Sequence, residues 1–211
     1  MKENKYTQID FSIMKYSEIK SLTQAIKAEN TSTSKRDLEN IAFKLKSDSR
    51  KNINLLSESL IKYIKKIDNE FLRVTQLYTF DKSFGNYQYV GGTDEVGRGP
   101  LAGPIVSAAV ILNTSSSIEY IMGINDSKKI SAPRRKELAA IISDNCICYS
   151  IYELSNKEID KRGISWCNNE VLKNSSINLN IKPDLVLSDG YPIKNINIKN
   201  EFVIKGDRKS T

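Results

Sequence analysis

The chain has 211 residues, 39% of them hydrophobic, and a net charge of +7 with a pI near 9.2. It is long enough for a real core in one large domain or two small ones, and its basic balance favours a polyanionic partner such as nucleic acid. Histidine is absent, which excludes Ser-His-Asp and Cys-His schemes, histidine acid–base chemistry and the usual zinc sites. Hydrolytic chemistry would rest instead on carboxylates, lysines, cysteines or a carboxylate-bound metal.

The opening MKENKYTQID lacks the apolar run of a signal peptide, and no stretch approaches a membrane span. Three cysteines without a pairing pattern (Cys146, Cys148, Cys167) suit a reducing cytosol. The expectation is a cytoplasmic protein with no membrane partner. Before Gly85 there is neither glycine nor proline, and helical spacing predicts three helices. The first covers about Tyr16–Glu29, with Ile19, Leu22 and Ile26 on one side. The second follows N-cap candidates at Ser32–Ser34 and ends near Lys46. The third covers about Lys51–Tyr78, with Leu55, Leu56, Leu60, Ile64, Ile67, Phe71, Val74 and Leu77 along one face. Residues 1–86 carry 16 basic and 11 acidic side chains, so this helical part holds most of the positive excess. Its basic face is read as solvated, with duplex binding as the alternative.

The segment DKSFGNYQ reads as a linker. It divides a helical N-terminal part, 1–85, from residues 86–211, where the texture changes. Strands are predicted at Tyr87–Thr93, Ile105–Leu112, Cys146–Leu154, Leu185–Ser188 and Glu201–Lys205. Helices are predicted at Pro133–Ser143, Asn156–Arg162 and Ser165–Asn178, with Trp166 taken as core. The alternation argues an α/β domain with one mixed sheet: the first three strands antiparallel, the fourth reached by a parallel crossover.

The stretch YVGGTDEVGRGPLAGP concentrates five of the chain's ten glycines. Gly97, Gly99 and Gly103 allow tight turning and close approach of a ligand to the backbone, and Arg98 adds a forked cation for phosphate or sugar. The spacing is neither that of a P-loop nor G-x-G-x-x-G. Asp94 and Glu95 precede this loop. Successive strand residues face opposite ways, so both reach one site only where the strand ends or bulges. Paired carboxylates there suggest a divalent metal bound through oxygen. Asp189-Gly190, after the apolar run Leu185–Leu187, reads either as a simple turn or as a third acid at a strand's carboxyl end.

The run from Asp94 to Pro104, DEVGRGPLAGP, closely resembles the signature of bacterial ribonuclease HII. The resemblance continues in order through NDSKKISAPRRKEL, LVLSDG and VIKGDRKS, covering residues 88–211. It implies an RNase H-like fold, with a mixed sheet and flanking helices, preceded by a small helical module. It also implies an endonuclease that cuts the RNA strand of RNA–DNA hybrids and single ribonucleotides in duplex DNA, leaving a 5′-phosphate. Asp94, Glu95 and Asp189 would be the ligands of Mg²⁺ or Mn²⁺, and Gly97, Arg98 and Gly99 would read the 2′-hydroxyl. Lys128 would contact phosphate, or with Lys129 form a solvated pair. Lys205 and Ser210 would hold the DNA backbone, while Asp126 reads as a turn or cap. No obligate protein partner is implied, and the expectation is a monomer. The resemblance leads beyond KGDRKST to a further helix with a fourth carboxylate. The chain therefore reads as a C-terminally truncated member, with an inactive hybrid- or duplex-binding protein as the alternative to an active nuclease.

Overall fold

The computed structural model describes residues 9–28, 33–99, 102–113, 120–204 and 206. Its packing separates two compact units, Met1–Leu72 and Arg73–Thr211. In the first, α1 (Tyr16–Ala28), α2 (Lys35–Lys46) and α3 (Lys51–Lys82) follow the three predicted helices. The division falls within α3, and the Gly85 turn lies further on. Ser34 caps α2, its hydroxyl accepting from the Asp37 amide at 3.2 Å, which satisfies one of the free N–H groups of the first turn.

Apolar residues at helical spacing make the core of this unit: Ile19 and Ile26, Leu38, Ile41 and Leu45, and Ile53, Leu60 and Ile64. Fully burying each such side chain contributes roughly 2 kcal/mol. The buried face of α3 runs through Ile53, Ser57, Leu60 and Ile64, while Leu55 and Phe71 are exposed. Leu60, Ile64, Val74 and Leu77 of the expected stripe are buried and Leu56 and Ile67 half-buried, so only Leu55 and Phe71 depart from it. Ser57, a polar residue, holds a core position on this face by donating its hydroxyl to the Ala42 carbonyl at 2.7 Å.

The second unit is built on one sheet of order β3-β2-β1-β4-β5, formed by β1 (Val90–Val96), β2 (Ile105–Leu112), β3 (Cys146–Leu154), β4 (Leu185–Asp189) and β5 (Asn200–Val203). β1, β2 and β3 are antiparallel neighbours, and β4 runs parallel to both β1 and β5. Between β2 and β3 lies α4 (Ala132–Asn145). Between β3 and β4 lie α5 (Asn156–Arg162) and α6 (Ile164–Ile177), which supply the crossover. α6 packs across β1, β2 and β3, joining Cys167 and Val171 to Ile105, and Leu172 to Val186. The fold class and strand directions agree with the sequence reading. No helix among the described residues is long and apolar enough to cross a membrane.

Two elements differ in a way that matters for the site. β1 begins later and ends later than predicted. Asp184 captures the amides of Gln88 and Tyr89 at 3.0 and 2.9 Å, so the strand starts after them, and pairing with β2 continues through Glu95↔Ser107 and Val96↔Val106. Asp94 and Glu95 therefore lie inside the strand. Trp166 is exposed, with the Arg162 guanidinium 4.4 Å from its ring centroid. The next residue, Cys167, takes the core position instead, because α6 begins at Ile164 and that phase sets which side meets the sheet.

Candidate active site

The carboxyl end of β4 lies beside the Thr93–Asp94 part of β1, because their parallel register pairs Thr93 with Ser188. The next residue on each strand is an acid, Asp94 and Asp189. The Asp94 carboxyl is pushed up to about 6. Desolvation is the largest cause, and the negative charges of Glu95 and Asp189 add to it, against the Glu95 amide, which donates to Asp94 Oδ1 at 2.8 Å. Asp94 as a residue is exposed, so this desolvation reflects protein packed behind the carboxyl and not enclosure. The charges of Glu95 and Asp189 thus bear on Asp94 as smaller causes, and Glu95 is itself paired with Arg98.

Each of the three acids is already tied to a neighbouring donor. Glu95, its side chain only 11% exposed, accepts from Arg98 Nη1 at 3.3 Å. Asp189 Oδ1 accepts from the Gly206 amide at 2.8 Å. Among the described residues, no three His, Cys, Asp or Glu side chains form a ready-made ion cage. The donor set nevertheless suits a divalent cation, since it offers hard oxygens whose mutual repulsion such an ion would relieve.

The loop after β1 separates two glycines that look alike in sequence. Gly97 has φ +106, and a Cβ there would stand 2.4 Å from the Pro104 carbonyl oxygen. The turn itself requires glycine at this point. A Cβ on Gly99 would meet nothing within 4 Å, and the residue is exposed. Its own chain does not demand glycine, so its backbone is left open to whatever approaches from outside. Asp189-Gly190 makes the turn that its sequence allowed, at the carboxyl end of β4. Gly190 has φ +77 and its amide donates to the Val203 carbonyl at 3.1 Å, while Asp189 closes β4.

A family model described as Ribonuclease HII matches residues 91–210, which takes in all three acids and the glycine loop. The chain belongs to the ribonuclease HII family. A ribonuclease HII from Clostridium botulinum strain Hall is 50% identical over 198 residues, covering 93% of this chain and 74% of that protein. Another, from Clostridium tetani strain Massachusetts / E88, is 45% identical over 210 residues, covering 99% and 76%. Among solved structures, the ribonuclease H2 of Pyrococcus horikoshii OT3 aligns at a TM-score of 0.48 and 24% identity, over 58% of this chain and 65% of that one. The chain thus spans about three quarters of those two curated relatives and just under two thirds of the solved one.

Other residues that the ribonuclease HII resemblance singled out are spread more widely. Lys128 is exposed in a 3₁₀ turn, Ser127–Lys129, whose N-cap is the buried Asp126, accepting from the Lys128 amide at 3.0 Å. Lys205 and Ser210 lie outside the described residues. Sequence reasoning missed Gly206, whose amide holds Asp189, and the hydroxyls of Thr93, Ser107 and Ser175 that lie behind Asp94. Gly206 stood in the quoted block VIKGDRKS, but only the strand pairing brings its amide to β4. The hydroxyls come from three elements, and no spacing in the sequence joins them.

Proposed function

We propose that the chain is a metal-dependent endonuclease that cuts the RNA strand of RNA–DNA hybrids and single ribonucleotides within duplex DNA, leaving a 5′-phosphate. The observation that carries this reading is the placing of Asp94-Glu95 on β1 beside Asp189 on β4, next to the glycine loop and within the residues that the family model matches. Asp94, Glu95 and Asp189 are the residues that would hold Mg²⁺ or Mn²⁺. Such ions, when bound, supply an activated water and stabilise the leaving 3′ oxygen. With no histidine in the chain, acid–base work at a side chain of ordinary pKa near 7 is not on offer.

The chain's own groups would do the positioning. The open backbone at Gly99 admits a sugar edge, and the 2′-hydroxyl is the feature that tells RNA from DNA. Arg98 lies half-exposed beside Glu95, where its guanidinium can turn to a phosphate. Lys128, Lys205 and Ser210 are proposed as backbone contacts that fix register without reading sequence. The helical part, 1–85, is proposed as a basic extension that adds salt-dependent affinity. The protein would act as a cytoplasmic monomer with no obligate protein partner.

The test is a duplex carrying one ribonucleotide, incubated with the full chain and Mn²⁺ or Mg²⁺, beside an all-DNA duplex of the same sequence. The expected result is a single cut at the ribonucleotide, a 5′-phosphate on the product and no cut in the all-DNA control. Tight binding of the ribonucleotide duplex without any cut under either metal would overturn the enzymatic reading in favour of a binding protein.

A further inference from the structure

Three buried hydroxyls stand behind the acidic strand end. Thr93 of β1, Ser107 of β2 and Ser175 of α6 are 6%, 1% and 0% exposed. Their oxygens lie 3.1 Å (Thr93–Ser107), 3.2 Å (Thr93–Ser175) and 3.0 Å (Ser107–Ser175) apart. Each also reaches a main-chain carbonyl: Thr93 that of Ala108 at 3.0 Å, Ser175 that of Leu172 at 3.1 Å, and Ser107 that of Asp94 at 2.9 Å.

The proton count makes this cluster informative. A hydroxyl has one proton to donate, so three protons serve six contacts. Thr93 and Ser175 have carbonyls of their own element pair or helix to satisfy. Ser107 alone points to a carbonyl that belongs to the acidic pair. The peptide joining Asp94 to Glu95 is then held on both sides: its carbonyl by Ser107, and its N–H by Asp94 Oδ1 at 2.8 Å. That peptide lies within the β1–β2 pairing (Asp94↔Ala108, Glu95↔Ser107), and the Ser107 hydroxyl adds a side-chain bond that fixes its tilt at the two residues carrying the carboxylates.

We infer that Ser107 is a positioning residue, which sets the Asp94–Glu95 peptide for cation binding through its hydroxyl, while Thr93 and Ser175 compete for the same proton. This rests on the metal-binding reading above. Groups that orient ligands from behind are worth about 10- to 100-fold in metal affinity or activity. Ser107→Ala should therefore weaken Mn²⁺ binding at least roughly tenfold and lower kcat with KM for duplex unchanged. Ser175→Ala and Thr93→Val remove an equally buried hydroxyl but free the Ser107 proton for Asp94, so Mn²⁺ affinity should stay the same or tighten.

The experiment is Mn²⁺ calorimetry on the full chain and the three variants, with thermal melts and single-site cleavage kinetics alongside. Asp94→Asn serves as the control for the reading beneath the inference. If Asp94→Asn binds Mn²⁺ as the unmodified chain does, the metal site itself is wrong and the inference falls with it. If Asp94→Asn loses the ion but Ser107→Ala keeps full affinity, only the role of Ser107 is overturned. Equal losses in Ser107→Ala, Ser175→Ala and Thr93→Val would reduce the cluster to packing and overturn it too. Should Ser107→Ala fail to fold, Ser107→Cys keeps the shape with a weaker donor; reduced Mn²⁺ affinity supports the inference and wild-type affinity overturns it.

Discussion

Asp48 in the helical unit and Asp94 in the sheet unit are the same side chain in opposite electrostatic settings. Asp48 faces Arg50, which gives it an Nε–H at 2.9 Å, an Nη2–H at 2.6 Å and its own main-chain N–H at 2.9 Å. Those bonds lower its carboxyl to about 2. Two further guanidinium N–H groups go to the carbonyls of Met14 at 2.7 Å and Phe11 at 2.8 Å, so the pair ties the chain entry to the start of α3. Asp94 has desolvation and two negative neighbours, and its carboxyl rises to about 6. A matched charge serves the fold, whereas a desolvated carboxyl beside like charges works against it, a cost that the proposed cation would relieve.

The two positions should separate activity from stability in a double exchange. Asp94→Asn should lower metal-dependent cleavage by roughly a hundredfold or more, yet raise the Tm at neutral pH. The sign follows from linkage: the folded pKa lies above the ordinary 3.8, so ionisation of Asp94 costs stability. That penalty is absent below about pH 4, grows up to about pH 6 and is complete above it. Asp48→Asn should do the reverse, lowering the Tm while leaving cleavage unchanged. Melts and initial rates on both variants check this, and a Tm loss in Asp94→Asn as large as that in Asp48→Asn would erase the contrast.

A smaller contrast of the same kind divides the two loop glycines. Gly97→Ala forces a Cβ against the Pro104 carbonyl and should lower both Tm and duplex binding. A Cβ on Gly99 meets none of the described residues beyond its chain neighbours within 4 Å, so for Gly99→Ala the Tm should hold while affinity for a ribonucleotide-containing duplex falls roughly tenfold, the scale of one lost polar contact in a site. Unchanged binding by Gly99→Ala would remove the open-backbone argument. The smallest effect expected is an acid one. Because the folded pKa of Asp48 is depressed, its contribution is full above about pH 4 and is lost as pH falls through about 2. Asp48→Asn should flatten that part of the stability curve.

Much of the architecture was legible because the period of apolar residues changes near Gly85, and Ile105–Leu112 and Cys146–Leu154 are bounded in the structure as the pattern predicts. Two of the errors share a cause, a polar side chain spent on a partner distant in sequence, whereas the exposure of Trp166 follows from the phase of α6. Asp184 delays β1 by capturing the Gln88 and Tyr89 amides, and Ser57 takes an apolar position on α3 by bonding Ala42. The acids and glycines of the site could be named from their motif, but the distinct burdens on Gly97 and Gly99 could not. Those depend on how close Pro104 comes when the loop closes. Nor could spacing show that Gly206 reaches Asp189 or that Ser107 reaches Asp94, since both contacts exist only once strands are paired.

The most direct measurement is calorimetric titration of Mn²⁺ into the full chain at neutral pH, with Asp94→Asn, Glu95→Gln and Asp189→Asn in parallel. A saturable isotherm is expected for the unmodified chain, abolished in Asp94→Asn and weakened in the other two. An Asp94→Asn isotherm indistinguishable from that of the unmodified chain would contradict this expectation.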